Sequence, residues 1–250
     1  MNSPRRSIVR RVLRRFAWHR RLRSIVGRLQ VGPPSRGWAS PLRLARRYLA
    51  DAVEARAHHA RGWMLDVGCG YQPYRRLFSH VDRYVGLDTP GSGLVDVGGD
   101  ALALPFRGAA FDTVLCNQVL EHVPEPATLL REVGRVLKPA GTLLLTAPQT
   151  WGLHHEPHDF YRYTKYGLRY LAESNGLRVV DIAATCGMWT TVTQRVADTV
   201  VHTYAASRPR WMIEVLSVLL APLLLAGEVA DRLTGRQGDT LDYVLVATKA

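Results

Sequence analysis

Residues suited to binding a nucleoside stand at the ends of two apolar stretches of the chain. The segment 65–70 reads Leu-Asp-Val-Gly-Cys-Gly, which predicts a buried strand that runs into a glycine turn. Glycine lets the backbone approach a ligand closely and adopt positive φ. A second apolar stretch ends at Asp88, and about 20 residues is the usual distance from such a turn to a carboxylate that binds ribose hydroxyls. The spacing therefore predicts a nucleoside-binding site.

Two residues beside the turn indicate which nucleoside cofactor it would take. Pro73 stands where the dinucleotide-binding pattern has its third glycine. Asp66 precedes the turn, where a negative charge does not suit a pyrophosphate but does suit an ammonium or a sulfonium group. We therefore expect S-adenosylmethionine rather than NAD.

Further motifs follow the turn in a fixed order. With them the chain resembles the class I S-adenosylmethionine-dependent methyltransferases, in particular the type 11 group that includes quinone-biosynthesis C-methyltransferases. The resemblance covers about residues 61–187. The segments that carry it are Leu65–Gly70, Val85–Asp88, Gly99–Phe106, Phe111–Asn117, Leu120–Val123 and Glu132–Leu143.

The resemblance assigns roles to individual residues on the cofactor side. Asp66 and the turn would hold the methionine end of the cofactor, and Asp88 would bind the ribose hydroxyls. Asp100, with the Ala101 backbone, would contact the adenine amine, and Asn117 would lie beneath the sulfonium. The cofactor-binding residues implied by the resemblance are Asp66, Gly68, Cys69, Gly70, Asp88, Asp100, Ala101 and Asn117.

The elements that would position these residues alternate between strands and helices. This alternation predicts a doubly wound, Rossmann-like α/β fold with a seven-stranded, mostly parallel sheet and helices on both faces. We expect an arm and linker over 1–36 and a methyltransferase domain over 37–250, with its core at 61–187 and an apolar helical insertion at 190–233. Strands are predicted near 63–67, 83–88, 94–98, 111–116, 141–146, 177–184 and 241–248, and helices near 41–59, 73–79, 126–137 and 165–175.

A polar and aromatic loop after the fifth strand is the predicted acceptor site. The stretch His158–Thr164 resembles methyltransferases of bacterial glycan gene clusters. On that basis we expect His158 to act as the general base, with Asp159 orienting it and His155 beside it. His154, Tyr161 and Arg162 are predicted to bind the acceptor or to position the loop. The loop has no recognisable ligand spacing, so no metal is expected, and a purely structural role for the loop stays open.

Charge is concentrated at the start of the chain. The net charge is +12, and residues 1–36 contain eleven arginines and no acid. Apolar residues recur among these arginines at helical spacing, which predicts a basic amphipathic helix for an anionic membrane surface, with residues 5–29 and 211–227 as the contacts. A solvated tail remains an alternative, and nucleic acid is not expected as a partner. The apolar run at 215–227 is too short to span a bilayer, so it forms either a buried hairpin or a docking element.

We therefore expect an enzyme that transfers a methyl group from S-adenosylmethionine to a small-molecule or glycan acceptor, through a hydroxyl. C-methylation of a lipid quinone is the main alternative, followed by an RNA methyltransferase and a non-enzymatic cofactor-binding scaffold. No secretory signal is recognisable, and three scattered cysteines suit a reducing compartment. The expected location is the cytoplasm, with peripheral attachment to the inner face of the membrane.

Overall fold

One seven-stranded sheet organises the chain, in the order β3-β2-β1-β4-β5-β7-β6. The computed structural model describes residues 41–205, 210–235 and 238–250. Strands β1 to β5 pair in parallel, whereas β7 runs antiparallel to both β5 and β6. The predicted fold class is confirmed. The strands are β1 Trp63–Val67, β2 Arg83–Asp88, β3 Val97–Gly98, β4 Phe111–Asn117, β5 Leu137–Pro148, β6 Leu177–Ala184 and β7 Asp242–Lys249.

Helices cover both faces of this sheet. They are α1 Pro41–Glu54, α2 Pro126–Val136, α3 Lys165–Glu173, α4 Met188–Ala205 and α5 Arg210–Thr234. The Thr164 hydroxyl accepts a hydrogen bond from the Gly167 N–H and caps α3, as the sequence predicts. The prediction of a helix over 73–79 is wrong, because only a 3-10 turn forms there, at Arg75–Phe78.

Alternating residues of the strands fill two apolar layers, one on each side of the sheet. In β1, Leu65 and Val67 face one layer and Met64 faces the other. All three side chains are fully buried, and burying one such side chain contributes about 1.5–3 kcal/mol. The first layer packs against α2 and α3, and the second lies beneath α1 and the 3-10 turn at Arg75–Phe78. The carboxyl ends of β1, β2 and β4 are thereby held side by side.

The predicted insertion forms the helix pair α4 and α5. The Asp231 carboxylate, on α5, accepts hydrogen bonds from the N–H groups of Gly187, Trp189 and Thr190 and so caps the start of α4. No helix within the described ranges is long and apolar enough to cross a membrane. The predicted arm at 1–36 lies outside the described residues.

Candidate functional site

The glycine turn after β1 folds back onto the end of β2. The N–H groups of Gly68 and Cys69 both donate to the carbonyl of Leu87, at 2.8 and 3.0 Å. Gly68 has a φ of +70°, and a Cβ atom at this residue would lie 2.3 Å from Cγ2 of Val119. A side chain at this position would therefore be strained and would also collide with its neighbour. The backbone of the turn is left as the surface that a ligand would meet.

Asp88, at the end of β2, ties this turn in place. Its Oδ2 accepts a hydrogen bond from the Gly70 N–H at 2.9 Å, and its Oδ1 accepts one from the Thr89 N–H at 2.6 Å. A carboxylate has about four lone-pair positions, so Asp88 retains acceptor capacity for hydroxyl groups of a ligand. The carboxylate expected to bind ribose is thus fixed beside the turn.

Asp66 lies beneath the turn rather than on its surface. Its side chain is buried, and the Tyr84 hydroxyl donates a hydrogen bond to Oδ2. Burial raises the pKa of Asp66 to about 7, although the Tyr84 hydrogen bond opposes this shift and the nearby Asp88 charge adds to it. Ligand binding at the turn would therefore be sensitive to whether Asp66 carries a charge.

The other predicted cofactor residues follow neighbouring strands at the same edge of the sheet. Asp100 is exposed, and its Oδ1 accepts a hydrogen bond from the Leu102 N–H, which orders the turn that contains Ala101. Asn117 ends β4, and its Oδ1 accepts a hydrogen bond from the Thr146 hydroxyl at 2.8 Å. Cys69 is buried, as expected of a small packing residue. These residues line the strand ends where α/β sheets bind ligands.

Arg162 holds the acceptor loop together. Its guanidinium forms a two-pronged pair with the Asp159 carboxylate, at 2.7 and 2.8 Å. Its remaining N–H groups donate to three backbone carbonyls, so all five donors of the side chain are used within the loop. The carbonyls belong to Trp151, Gly152 and Tyr161. Of the two roles predicted for Arg162, the structure supports loop positioning and leaves no N–H free for an acceptor.

The predicted partnership of His158 with Asp159 is wrong. Besides Arg162, the Asp159 carboxylate accepts a hydrogen bond from the backbone N–H of His154 at 2.9 Å, and the His154 ring lies 3.4 Å away. The Arg162 hydrogen bonds hold the pKa of Asp159 well below its usual range. His158 and His155 are exposed at the loop surface, where a base could meet an acceptor without help from Asp159.

The loop is anchored on the segment that follows β4. The Phe160 N–H donates to the carbonyl of Glu121, and the Tyr163 hydroxyl donates to the carbonyl of Leu120. The Tyr161 hydroxyl donates to the carbonyl of Pro124. Tyr161, predicted to bind acceptor, thus contributes to loop attachment, while its side chain stays 39% exposed.

Ionisable residues from two segments meet under this loop. Two of them, Glu121 and His122, were not among the predicted site residues. The rings of His122, His154 and His155 lie 4.7 to 5.4 Å apart, and the fully buried Glu121 carboxylate approaches Nε2 of His122 to 3.6 Å. Burial raises the pKa of Glu121 to about 8 and lowers the pKa of His122 to about 4. The Glu-His pair directly after the fourth strand was the only signal in the sequence for this group.

A second buried acid lies close to the loop. Asp242, at the start of β7, is buried, and burial raises its pKa to about 7, opposed by a hydrogen bond from Gln118 and by the charge of Arg162. An acid at the head of an otherwise apolar strand, 242–247, was the available signal. The acceptor edge therefore contains more buried ionisable groups than the sequence motifs indicate.

Part of the chain is similar in sequence to known proteins. Residues 65–145 match the family model of the methyltransferase domain. The ubiquinone biosynthesis O-methyltransferase of Xanthomonas oryzae pv. oryzae is 34% identical over 129 residues, which cover 44% of this chain and 53% of that protein. The chain thus spans about half the length of this curated relative.

Solved structures share the fold over most of the chain. The cyclase SpnF is 22% identical with a TM-score of 0.55, and the match covers 86% of this chain and 84% of SpnF. The 1,6-didemethyltoxoflavin-N1-methyltransferase of Burkholderia thailandensis, solved with 1,6-didemethyltoxoflavin and S-adenosylhomocysteine, is 17% identical with a TM-score of 0.50. That match covers 82% of this chain and 78% of the other. At these identities the likeness concerns the fold alone. Residues 65–145 of the chain are therefore similar to the methyltransferase domain, and the chain shares its fold with these two solved structures.

Proposed function

We propose that the chain is an S-adenosylmethionine-dependent methyltransferase that acts on a hydroxyl group of a small-molecule acceptor. The observation that carries the proposal is the glycine turn fixed to the Asp88 carboxylate at the carboxyl edge of the sheet. Because the N–H groups of Gly68, Cys69 and Gly70 already donate within the chain, the turn does not suit a pyrophosphate. Its backbone and the Asp88 carboxylate suit a nucleoside with a positively charged sulfur. The match of residues 65–145 to the methyltransferase domain supports the same function.

The cofactor, when bound, supplies a methyl group on a sulfonium that is already activated for displacement. The chain's task is then to align the acceptor with that methyl group. Asp88 would bind the ribose hydroxyls, Asp100 and Ala101 the adenine, and Asn117 would form the floor of the site. Gly68, Cys69 and Gly70 would border the methionine end with backbone atoms only, because side chains at the two glycines are absent.

His158 would accept the acceptor's proton. Its imidazole is exposed at the edge of the loop, and an imidazole exchanges a proton readily near neutral pH. His155 lies beside it, and Arg162 with Asp159 would keep the loop in place. The base is then a single exposed histidine rather than a histidine with a carboxylate partner.

The acceptor is proposed to be a phenolic hydroxyl, by analogy with the ubiquinone biosynthesis relative. A panel of labelled-methyl assays with a catechol-type quinone precursor, a C-methyl acceptor of the demethylquinol type and a nucleotide sugar tests this. Methyl transfer to the catechol oxygen supports the proposal. Transfer to a ring carbon would support the quinone C-methyltransferase alternative, and transfer to the sugar would support the glycan alternative.

We further propose that α5 lies on an anionic membrane surface, where a lipid-linked acceptor would be met. Several apolar side chains of this helix stand exposed to solvent, as on the apolar face of an interfacial helix. The basic segment 5–29 supplies charge complementary to anionic lipid. The exposed side chains are Val215, Val218, Leu219, Leu225, Val229 and Leu233.

Sedimentation with vesicles tests this attachment. The full chain should sediment with vesicles that contain phosphatidylglycerol and remain soluble with neutral vesicles. Replacing Leu219 and Leu225 together by glutamate should reduce the bound fraction several-fold. Tyr170→Glu, on an exposed aromatic residue of α3, is the control and should bind like the parent chain. Equal binding by all three chains would overturn the role of α5.

A further inference from the structure

A buried carboxylate that accepts no hydrogen bond lies at the centre of the acceptor edge. The Glu121 side chain has no exposed surface, and neither carboxylate oxygen accepts a hydrogen bond from the described residues. Burying such a group without compensation is costly, and nearly all buried polar atoms in proteins have a partner. Glu121 is therefore placed for a hydrogen-bond or ligand partner that the described part of the chain does not supply.

Two imidazoles converge on this carboxylate from different segments. One ligand atom from each of Glu121, His122 and His154 lies within 4.8 Å of the other two. His122 follows Glu121 directly, after β4, whereas His154 belongs to the loop after β5. Because the groups come from separate segments, no ligand spacing is visible in the sequence. The loop is nevertheless attached beside them by the hydrogen bond from the Phe160 N–H to the Glu121 carbonyl.

Contacts with backbone carbonyls orient the two imidazole rings. Nδ1 of His122 lies 2.6 Å from the carbonyl oxygen of His158, and Nδ1 of His154 lies 3.1 Å from that of Gly152. A carbonyl oxygen only accepts, so Nδ1 of His122 carries the proton, and its Nε2 is left with a lone pair 3.6 Å from the Glu121 carboxylate. Nδ1 of His154 also lies 3.4 Å from Oδ2 of Asp159 and 3.4 Å from Nη2 of Arg162. Metal-binding histidines almost always show this pattern, with the other ring nitrogen held by a carbonyl or a carboxylate.

We propose that Glu121, His122 and His154 bind a divalent transition-metal ion. Two imidazole nitrogens and one carboxylate form the ligand set of catalytic zinc sites and of related iron sites, which leave at least one position open. The site would prefer Zn²⁺, Fe²⁺ or Co²⁺ over Mg²⁺ or Ca²⁺, which take oxygen ligands. The three side chains would draw together by about 1 Å to reach bonding distance.

The position of the site suggests its use, which rests on the function proposed above. An acceptor hydroxyl at the open position would bind the ion through oxygen and release its proton more readily, because a bound cation lowers the pKa of such a group. The proton would pass to His158, the base proposed above, leaving the oxygen as the nucleophile. Metal binding can be measured without any acceptor. The metal site and the proposed methyl transfer can therefore be tested, and refuted, independently.

Calorimetric titration of the metal-stripped full chain with Zn²⁺ and with Mg²⁺ tests the site. We expect one Zn²⁺ per chain and no comparable Mg²⁺ binding. Glu121→Gln, His122→Gln and His154→Gln should each weaken Zn²⁺ binding by more than about 100-fold, because loss of a second-layer partner alone costs about 10–100-fold. His58→Gln, which removes an exposed histidine on the 3-10 turn at Ala57–His59, is the matched control and should bind like the parent chain.

Thermal unfolding separates loss of the site from loss of the fold. Zn²⁺ should raise the melting temperature of the parent chain and of His58→Gln but not that of Glu121→Gln. Without metal, Glu121→Gln should melt no lower than the parent, since the amide removes an unpaired buried acid. Absence of one-to-one Zn²⁺ binding to the parent chain, or equal binding by all the variants, would overturn the proposal.

Discussion

The two edges of the candidate active site are built in different ways. On the cofactor side, Gly68, Gly70 and Asp88 form a surface made mainly of backbone, fixed by hydrogen bonds between adjacent strand ends. On the acceptor side, side chains from the segment after β4 and from the loop after β5 meet in a cluster of ionisable groups. The cofactor edge therefore depends on local chain geometry, whereas the acceptor edge depends on how two distant segments pack.

The largest effect is expected from adding a side chain to the cofactor edge. Gly68→Val forces a branched residue into positive φ and into contact with Val119, so the free energy of unfolding should fall by about 2–5 kcal/mol. S-adenosylmethionine binding should be undetectable by calorimetry. The matched control is Gly70→Ala, because Gly70 also has positive φ but a Cβ atom there would meet no other atom within 4 Å; it should lose only about 1 kcal/mol.

The pH dependence of stability should reveal the buried acid beneath that edge. Asp66 keeps its proton in the folded chain up to about pH 7, whereas in the unfolded chain it loses it near its ordinary pKa of 3.8. Protonated Asp66 therefore stabilises the folded chain fully below pH 4. As the pH rises from 4 to 7, the free energy of unfolding falls by about 4 kcal/mol. Urea unfolding at several pH values should show that the free energy of unfolding falls more steeply with pH in the parent chain than in Asp66→Asn. Parallel curves between pH 4 and 7 would show that Asp66 ionises normally.

Removing one acceptor of the cofactor edge should weaken binding without unfolding the chain. In Asp88→Asn, one side-chain oxygen becomes an NH₂ group that cannot accept the hydrogen bond from the Gly70 N–H. The affinity for S-adenosylmethionine should fall about 30-fold, or about 2 kcal/mol, as expected for a hydrogen bond to a charged group. Asp112→Asn is the control, since Asp112 bonds the Trp63 N–H and Lys138 at the opposite end of the sheet; its cofactor affinity should not change.

The smallest of these effects is expected at the acceptor edge. Arg162→Lys keeps the charge but loses the two-pronged contact with Asp159 and most of the carbonyl contacts. We expect kcat/KM for the acceptor to fall about tenfold, equivalent to about 1.4 kcal/mol. Arg169→Lys, on an exposed residue paired with Glu173 in α3, should retain full activity. An unchanged kcat/KM in Arg162→Lys would show that loop order does not matter for the reaction.

Sequence reasoning succeeded where the determinants are local. The strands at 63–67, 83–88 and 177–184 were predicted with the bounds that the structure has, because a glycine or an acid marks one end of each short run. The apolar insertion was recognised from its composition, and its two helices are present.

Sequence reasoning failed where distant segments decide the outcome. Asp159 is adjacent to His158 in sequence but pairs with Arg162 and contacts His154, because the loop folds back on itself. The third strand is two residues long, since the chain between β2 and β3 is held by hydrogen bonds to the glycine turn instead. The cluster of Glu121, His122 and His154 forms only where two distant segments pack together, so no local sequence pattern predicts it.

Calorimetry of S-adenosylmethionine binding to three chains tests the separation of the two edges most directly. The parent chain should bind one equivalent, Asp88→Asn should bind it about 30-fold more weakly, and Arg162→Lys should bind it as the parent does. No binding by the parent, or equal weakening in both variants, would contradict a cofactor site built on the Gly68–Asp88 edge alone.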